Sequence, residues 1–459
     1  MFAWILFGLL LVFIASDIHK ARKRGFFPAI FRLLVVLLCA IFAFVFAPMV
    51  SNLLMGLPLF GGETLGEAYE GYILSHGNMG DALGMSSTIK VLILGLPKAL
   101  LAEIAFVLLF FIFRLIAWPI TAVASRHLFK FLATRKRKKS GKPLLPVIKP
   151  NFAMLIGLLQ ALVCFTVLMV PVYGFVEFGE TFTAEFKDTG VSNLEEISDD
   201  LQEGIVDPIN NSVVGKIGKV IGQRKICIGV FHKLSTVTLE FEDGERKVDY
   251  FKSVEDMFPA VAAACRLADV NPQSMTDEDY NNLSTIFSTV QEHPEMKSAL
   301  QSAVSNAVST VVEENYKESA DVLLSVFTQK LVDSSNPITG EKLKTEVTAM
   351  QNTIDVIQKA ASGDSTNNVF EKQEDVDAFV SSISGTDQVY DSLIEISNDP
   401  EKSATMRGNF NATSEKKTNM QNDIVKYRQD KLGSADYDRI LSITDAVARV
   451  LDLDLTPAN

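Results

Sequence analysis

Four apolar runs fall within the first 180 residues of this 459-residue chain. Met1–Ala15, Leu33–Val50, Ala99–Ile120 and Phe152–Val176 are each mostly Leu, Ile, Val, Phe, Ala and Met. A helix needs roughly 20 such residues to cross a hydrocarbon layer of about 30 Å. Runs two to four meet that need, and the first crosses where the bilayer thins locally. A single run could be a buried core helix. Four in succession predict membrane-spanning helices over about 1–16, 30–50, 97–120 and 152–177. A cleaved signal places positive charge ahead of its apolar stretch, whereas here Lys20, Arg22, Lys23 and Arg24 follow it. The first run is therefore expected to be an uncleaved helix with its N-terminus outside.

Charge gives the expected orientation. Between runs one and two stand Lys20, Arg22, Lys23, Arg24 and Arg32 against Asp17 alone. Residues 121–150 hold nine basic residues and no acid, including Arg135, Lys136, Arg137, Lys138 and Lys139 in one block. The intervening loop is acidic, with Glu63, Glu67, Glu70 and Asp81 against Lys90. Basic short loops mark the cytoplasmic side, so both termini are expected outside. The basic block reads as a topology signal in contact with anionic lipid headgroups.

Residues 1–150 carry 17 basic and 6 acidic side chains, and residues 151–459 carry 26 and 49. The net charge of −12 thus conceals two oppositely charged parts. Nucleic-acid binding by the acidic tail is excluded, because it would repel phosphates.

The fold class expected is mainly α: a four-helix multipass membrane domain, then a mostly helical soluble domain with a small β-hairpin. The expected divisions are 1–178, a juxtamembrane α/β segment 179–273, and a helical extracytoplasmic domain 274–459. Thr236–Glu242 alternates apolar and polar residues, Asp243-Gly244 suits a tight turn, and Arg246–Phe251 returns, placing the hairpin at 236–251. Beyond it, Leu300, Val304, Val308 and Val311, then Leu323, Leu324, Phe327 and Leu331, recur at helical spacing. Further helices are expected over 341–361, 373–383, 386–397, 414–431 and 435–452, the last capped by Ser434.

Charged groups inside apolar runs are costly and so draw attention. Glu103 and Arg114 are eleven residues apart in run three, on nearly one face and about 16 Å apart along the axis. They read as anchors hydrogen-bonded to neighbouring helices or, in the alternative, as the lining of a polar path with Gln160 of run four. Gly157 and Ala161 form a small-xxx-small pair that would let another helix approach. Cys227 and Cys265 could form one bridge or remain two buried thiols. His19, His76, His127, His232 and His293 stand in no metal-ligand spacing, so neither metal nor cofactor is implied. No phosphate-binding loop or nucleophile elbow is present in the sequence, and an enzyme is not expected.

Residues 1–178 resemble the CvpA family, the colicin V production proteins of bacteria. The likeness runs from the basic residues at Lys20 through Arg24-Gly25-Phe26 and a continuous apolar helix to Pro48-Met49-Val50-Ser51-Asn52. An apolar third helix bearing Arg114, a basic linker and a last helix rich in Gly, Leu and Ala follow. The resemblance implies a four-helix protein of the bacterial plasma membrane, acting in bacteriocin production or secretion or in envelope maintenance. It carries over no catalytic residue, and it ends before the long acidic tail. That tail is expected to bind an unidentified protein or envelope partner. The alternative expectation is a channel or transporter, as an oligomer, since four helices enclose little space.

Overall fold

The fold is that of a computed structural model. The structure describes residues 2–58, 63–76, 87–134, 150–241, 244–267, 270, 274–293, 317–334, 338–361, 373–407 and 414–455. Among the described residues it is mainly α with one two-stranded antiparallel sheet, in two compact units that divide between Phe258 and Pro259, residues 81–88 being grouped with the second. The division falls inside a helix.

The first unit opens with α1 (Phe2–Arg24) and α2 (Phe26–Met55). They are separated by Gly25 alone, whose φ of 90° is open to glycine and strained for other residues. Then come α3 (Leu65–His76), α4 (Ser87–Thr134) and α5 (Pro150–Phe186). Among the described residues four helices are long and apolar enough to cross a membrane: Ala3–Arg24, Phe26–Met55, Gly95–Ala124 and Asn151–Phe186. Each exceeds the apolar run that announced it, because polar residues at the ends continue the helical hydrogen bonding. Pro48, Pro97, Pro119 and Pro171 lie inside these helices; neighbouring helices make that tolerable in membranes. Large side chains such as Trp4, Ile41, Ile104 and Leu155 point outward and are exposed, while small ones face inward. Ala43, Ala47, Ala99, Ala153 and Ala161 are buried, which lets the backbones approach. A Cβ at Gly157 would stand 2.7 Å from the Asp17 carbonyl oxygen, so glycine is what permits the α1–α5 contact.

α5 is 37 residues and about 55 Å long, well beyond a bilayer core of about 30 Å. Its far half carries Phe175, Phe178, Phe182 and Phe186 on one face. These rings pack on Phe231, Phe251 and Phe258 with centroids 5.1–5.5 Å apart. Between these partners the chain forms α6 (Ser192–Leu201), a π-helical turn (Gln202–Val206), α7 (Asp207–Asn210), α8 (Val213–Val220) and α9 (Gln223–Leu234). β1 (Thr236–Phe241), β2 (Gly244–Asp249) and α10 (Tyr250–Leu267) follow.

The hairpin differs from expectation in its return strand. Phe241 pairs with Gly244; Glu242 and Asp243 lie outside the described residues. Gly244 opens the return strand at φ 125°, and Tyr250 and Phe251 begin α10. Their burial against the aromatic cluster outweighs the strand propensity of the pair.

The second unit comprises the rest of α10, then α11 (Asp277–Glu292), α12 (Lys317–Asp333), α13 (Gly340–Ala361) and α14 (Gln373–Ser384). α15 (Gln388–Asn398), α16 (Pro400–Arg407), α17 (Ser414–Asp430) and α18 (Tyr437–Leu451) complete it. Leu323, Phe327 and Leu331 of α12 share one core with Leu343, Phe379, Ile396, Tyr427 and Ile443. The Leu300–Val311 stretch lies outside the described residues. Thr276 caps α11 with its hydroxyl on the Asp279 amide, and Asp279 returns the bond. Ser434 does not cap α18: the residue before that helix is Asp436, and Ser434 accepts the Tyr437 amide through its backbone carbonyl.

Candidate functional site

Two polar clusters lie within the first unit. The first is a cleft of about 330 Å³ between α1, α2, α4 and α5. Its polar lining is Asp17, Lys20, Arg32, Arg114, Thr121 and Gln160. Arg114 reaches from α4 to the carboxylate of Asp17 on α1, its Nη2 donating at 3.1 and 3.2 Å. The Asp17 side chain is 1 % exposed, and the Arg114 guanidinium also stands 6.0 Å from the Phe13 ring centre. Arg32 lines the same cleft at 7 % exposure. It forms no hydrogen bond or ion pair with another described residue. Buried Arg32, partly exposed Arg114 and exposed Lys20 therefore line one cleft with a single carboxylate, and the charge of buried Arg32 is the costly one to leave unmatched. A phosphate-type anion would match both the charge and the planar donors of Arg32.

The second cluster centres on His232 of α9. Its Nδ1 lies 3.3 Å from Asp249 of β2, and its Nε2 lies 3.4 Å from Glu177 of α5. Ser235 donates to the same Asp249 oxygen at 2.9 Å. The hydrogen bonds to Asp249 and Glu177 raise the His232 pKa to about 10, overcoming burial. Burial, and then the Glu177 carboxylate, push Glu255 up to about 7. Glu103 of α4 interacts electrostatically with His232. It is 1 % exposed, and neither carboxyl oxygen has a hydrogen-bond partner among the described residues. This cluster ties α4, α5, α9, β2 and α10 together through one imidazolium.

The anticipated residues thus separate. Arg114 and Gln160 line one cleft, whereas Glu103 belongs with His232 and is not among that cleft's lining. Sequence reasoning missed Asp17, placed there in a loop because the apolar run stops at Ala15, and His232, whose partners come from distant elements. The Phe175–Phe186 stripe at helical spacing was the available signal that α5 continues into a packed α9–α10 layer. Gly157 and Ala161 are both buried on α5, with Gly157 against Asp17 and Ala21 of α1. Cys227 and Cys265 are free thiols rather than a bridge. Cys227 is buried with Sγ 3.6 Å from the Thr166 carbonyl oxygen, and burial raises its thiol pKa to about 12. Lys20, Arg22 and Lys23 are exposed at the end of α1, with Arg24 beside them less so. Arg135, Lys136, Arg137, Lys138 and Lys139 lie outside the described residues. No group of three His, Cys, Asp or Glu side chains able to hold a metal ion occurs among the described residues. No family model matches this chain, and neither the curated proteins nor the solved structures searched hold a match to it.

Proposed function

We propose that this chain is a non-enzymatic multipass membrane protein whose helix bundle holds a phosphate-type anion at its basic end. The observation that carries this reading is the cleft in which buried Arg32 joins Lys20 and Arg114 against the single carboxylate of Asp17. A lipid headgroup or a free phosphate supplies that chemistry. The likeness to the CvpA family supports a setting in the bacterial plasma membrane, in bacteriocin secretion or envelope maintenance, with both termini outside. In that setting the acidic helical unit is the part available to a protein or envelope partner.

The test is thermal unfolding in nanodiscs of phosphatidylcholine alone, with phosphatidylglycerol or inorganic phosphate added separately. A rise in Tm with either addition, lost in Arg32→Gln, supports the reading, and which addition acts identifies the source. An equal response in both proteins, or none, contradicts it.

A second reading, a channel or transporter assembled as an oligomer, is favoured by Glu103, a buried carboxyl group without hydrogen bonds inside α4. Current across planar bilayers that Glu103→Gln abolishes would support it. Silence across ionic conditions would exclude it.

A further inference from the structure

The α8–α9 elbow presents apolar side chains outward at a level that the spanning helix itself fixes. Val220 at the tip is 86 % exposed, and Val213, Ile217, Ile221 and Ile226 are exposed beside it. The opposite side is built for close contact with α5. Tyr173 donates its hydroxyl to the Val214 carbonyl oxygen at 3.1 Å, and that hydroxyl occupies the space a Cβ at Gly218 would need. Just past the tip, Gln223 Nε2 donates to Thr166 Oγ1 at 2.9 Å. Cys227 follows against the Thr166 carbonyl, and Phe231 against Gly174. α9 therefore climbs alongside α5 from Thr166 toward Phe175.

Depth follows from helix geometry. The apolar run of α5 begins at Phe152, and about 20 residues cover a core of about 30 Å, so the core ends near residue 172. Thr166 then lies about 9 Å inside that boundary. The elbow tip sits at that level with its Val and Ile side chains facing away from the protein. They continue the outward apolar surface of the spanning helices, including Leu155 and Leu159 of α5 itself. Lys216, Lys219 and Lys225 are exposed on the same segment, and long lysine stems can carry their charge to headgroup level while apolar neighbours stay in lipid.

We propose that α8 and α9 form a re-entrant elbow whose tip, Val220 and Ile221, sits among lipid acyl chains. This rests on the reading that the four apolar helices span the bilayer. Water is the poorer occupant, because an apolar tip this exposed would carry an unrelieved hydration cost.

Tryptophan quenching by lipids brominated on the acyl chain tests the proposal in a background of Trp4→Phe and Trp118→Phe. The reporter is Val220→Trp in the full-length protein, with Ile226→Trp as a second. Ile41→Trp on α2 is the lipid-facing control, and Leu432→Trp in the second unit is the aqueous control. Emission from Val220→Trp and Ile226→Trp should be lost as fully as from Ile41→Trp, with Leu432→Trp retained. If Ile41→Trp is quenched while both elbow reporters are retained, the elbow lies in water and the proposal fails alone. If Ile41→Trp is retained as well, the spanning reading falls and takes the proposal with it. Both reporter positions are exposed, so the new rings displace no core side chain.

Discussion

Asp17 and Arg114 show how one residue's environment sets its worth. Removing either partner of a buried ion pair leaves the other charge uncompensated, at a cost of about 3–5 kcal/mol. Arg114 is 24 % exposed toward the cleft, which puts the expected loss nearer 3 kcal/mol. Asp17→Asn and Arg114→Gln should each lower detergent-state stability by roughly that much, and the double variant by clearly less than the sum. Strict additivity would show that the pair is not coupled.

His232 and Glu255 make a pH prediction. Both bind their proton more tightly in the folded protein than in the unfolded chain. Their stabilising contribution is full below the unfolded values of 6.5 and 4.5, and is lost as pH rises through about 10 and about 7 respectively. The unfolding free energy should therefore fall from neutral to alkaline pH, by on the order of 5 kcal/mol between pH 6.5 and 10. His232→Gln should flatten that limb; an unchanged slope would remove His232 from the account.

At the scale of elements, α15 gains its start from another helix. Glu346 of α13 is fully buried, and its carboxylate accepts the backbone amides of Asp387, Gln388 and Val389 at 2.7, 3.1 and 2.9 Å. Free amides and the positive end of the helix dipole are both satisfied by this one side chain. Glu346→Gln keeps one acceptor and turns donors toward donors, so urea unfolding should show a loss of about 2–4 kcal/mol. A loss below about 0.5 kcal/mol would show the cap to be dispensable.

Elements were legible in the sequence where periodicity was strong. The four apolar helices and the helices near 341–361, 373–383 and 414–431 were readable from side-chain spacing. Ends were read less well: α1 runs nine residues past Ala15, because Asp17, Lys20 and the arginines satisfy their polar groups without breaking the helix. Arg114 and Gln160 stood out as polar residues in apolar runs. Asp17 is 97 positions from Arg114, and His232 is 55 positions from Glu177. Such long-range pairings leave no local pattern, so the ion pairs that organise both clusters were invisible.

At the scale of the whole molecule, the account depends on which side of the membrane the basic loops occupy. The cleft lies toward the ends of α1, α2 and α5 that adjoin those loops, beside Phe111–Thr121 of α4, so its access follows from that orientation. Single cysteines at Ser140 and Ser365, in a background lacking Cys39, Cys164, Cys227 and Cys265, report it directly with a membrane-impermeant thiol reagent. In intact cells Ser365→Cys should react and Ser140→Cys should be protected until the membrane is opened. Reaction at Ser140→Cys with protection at Ser365→Cys would contradict the orientation, and reaction at both would contradict the four crossings.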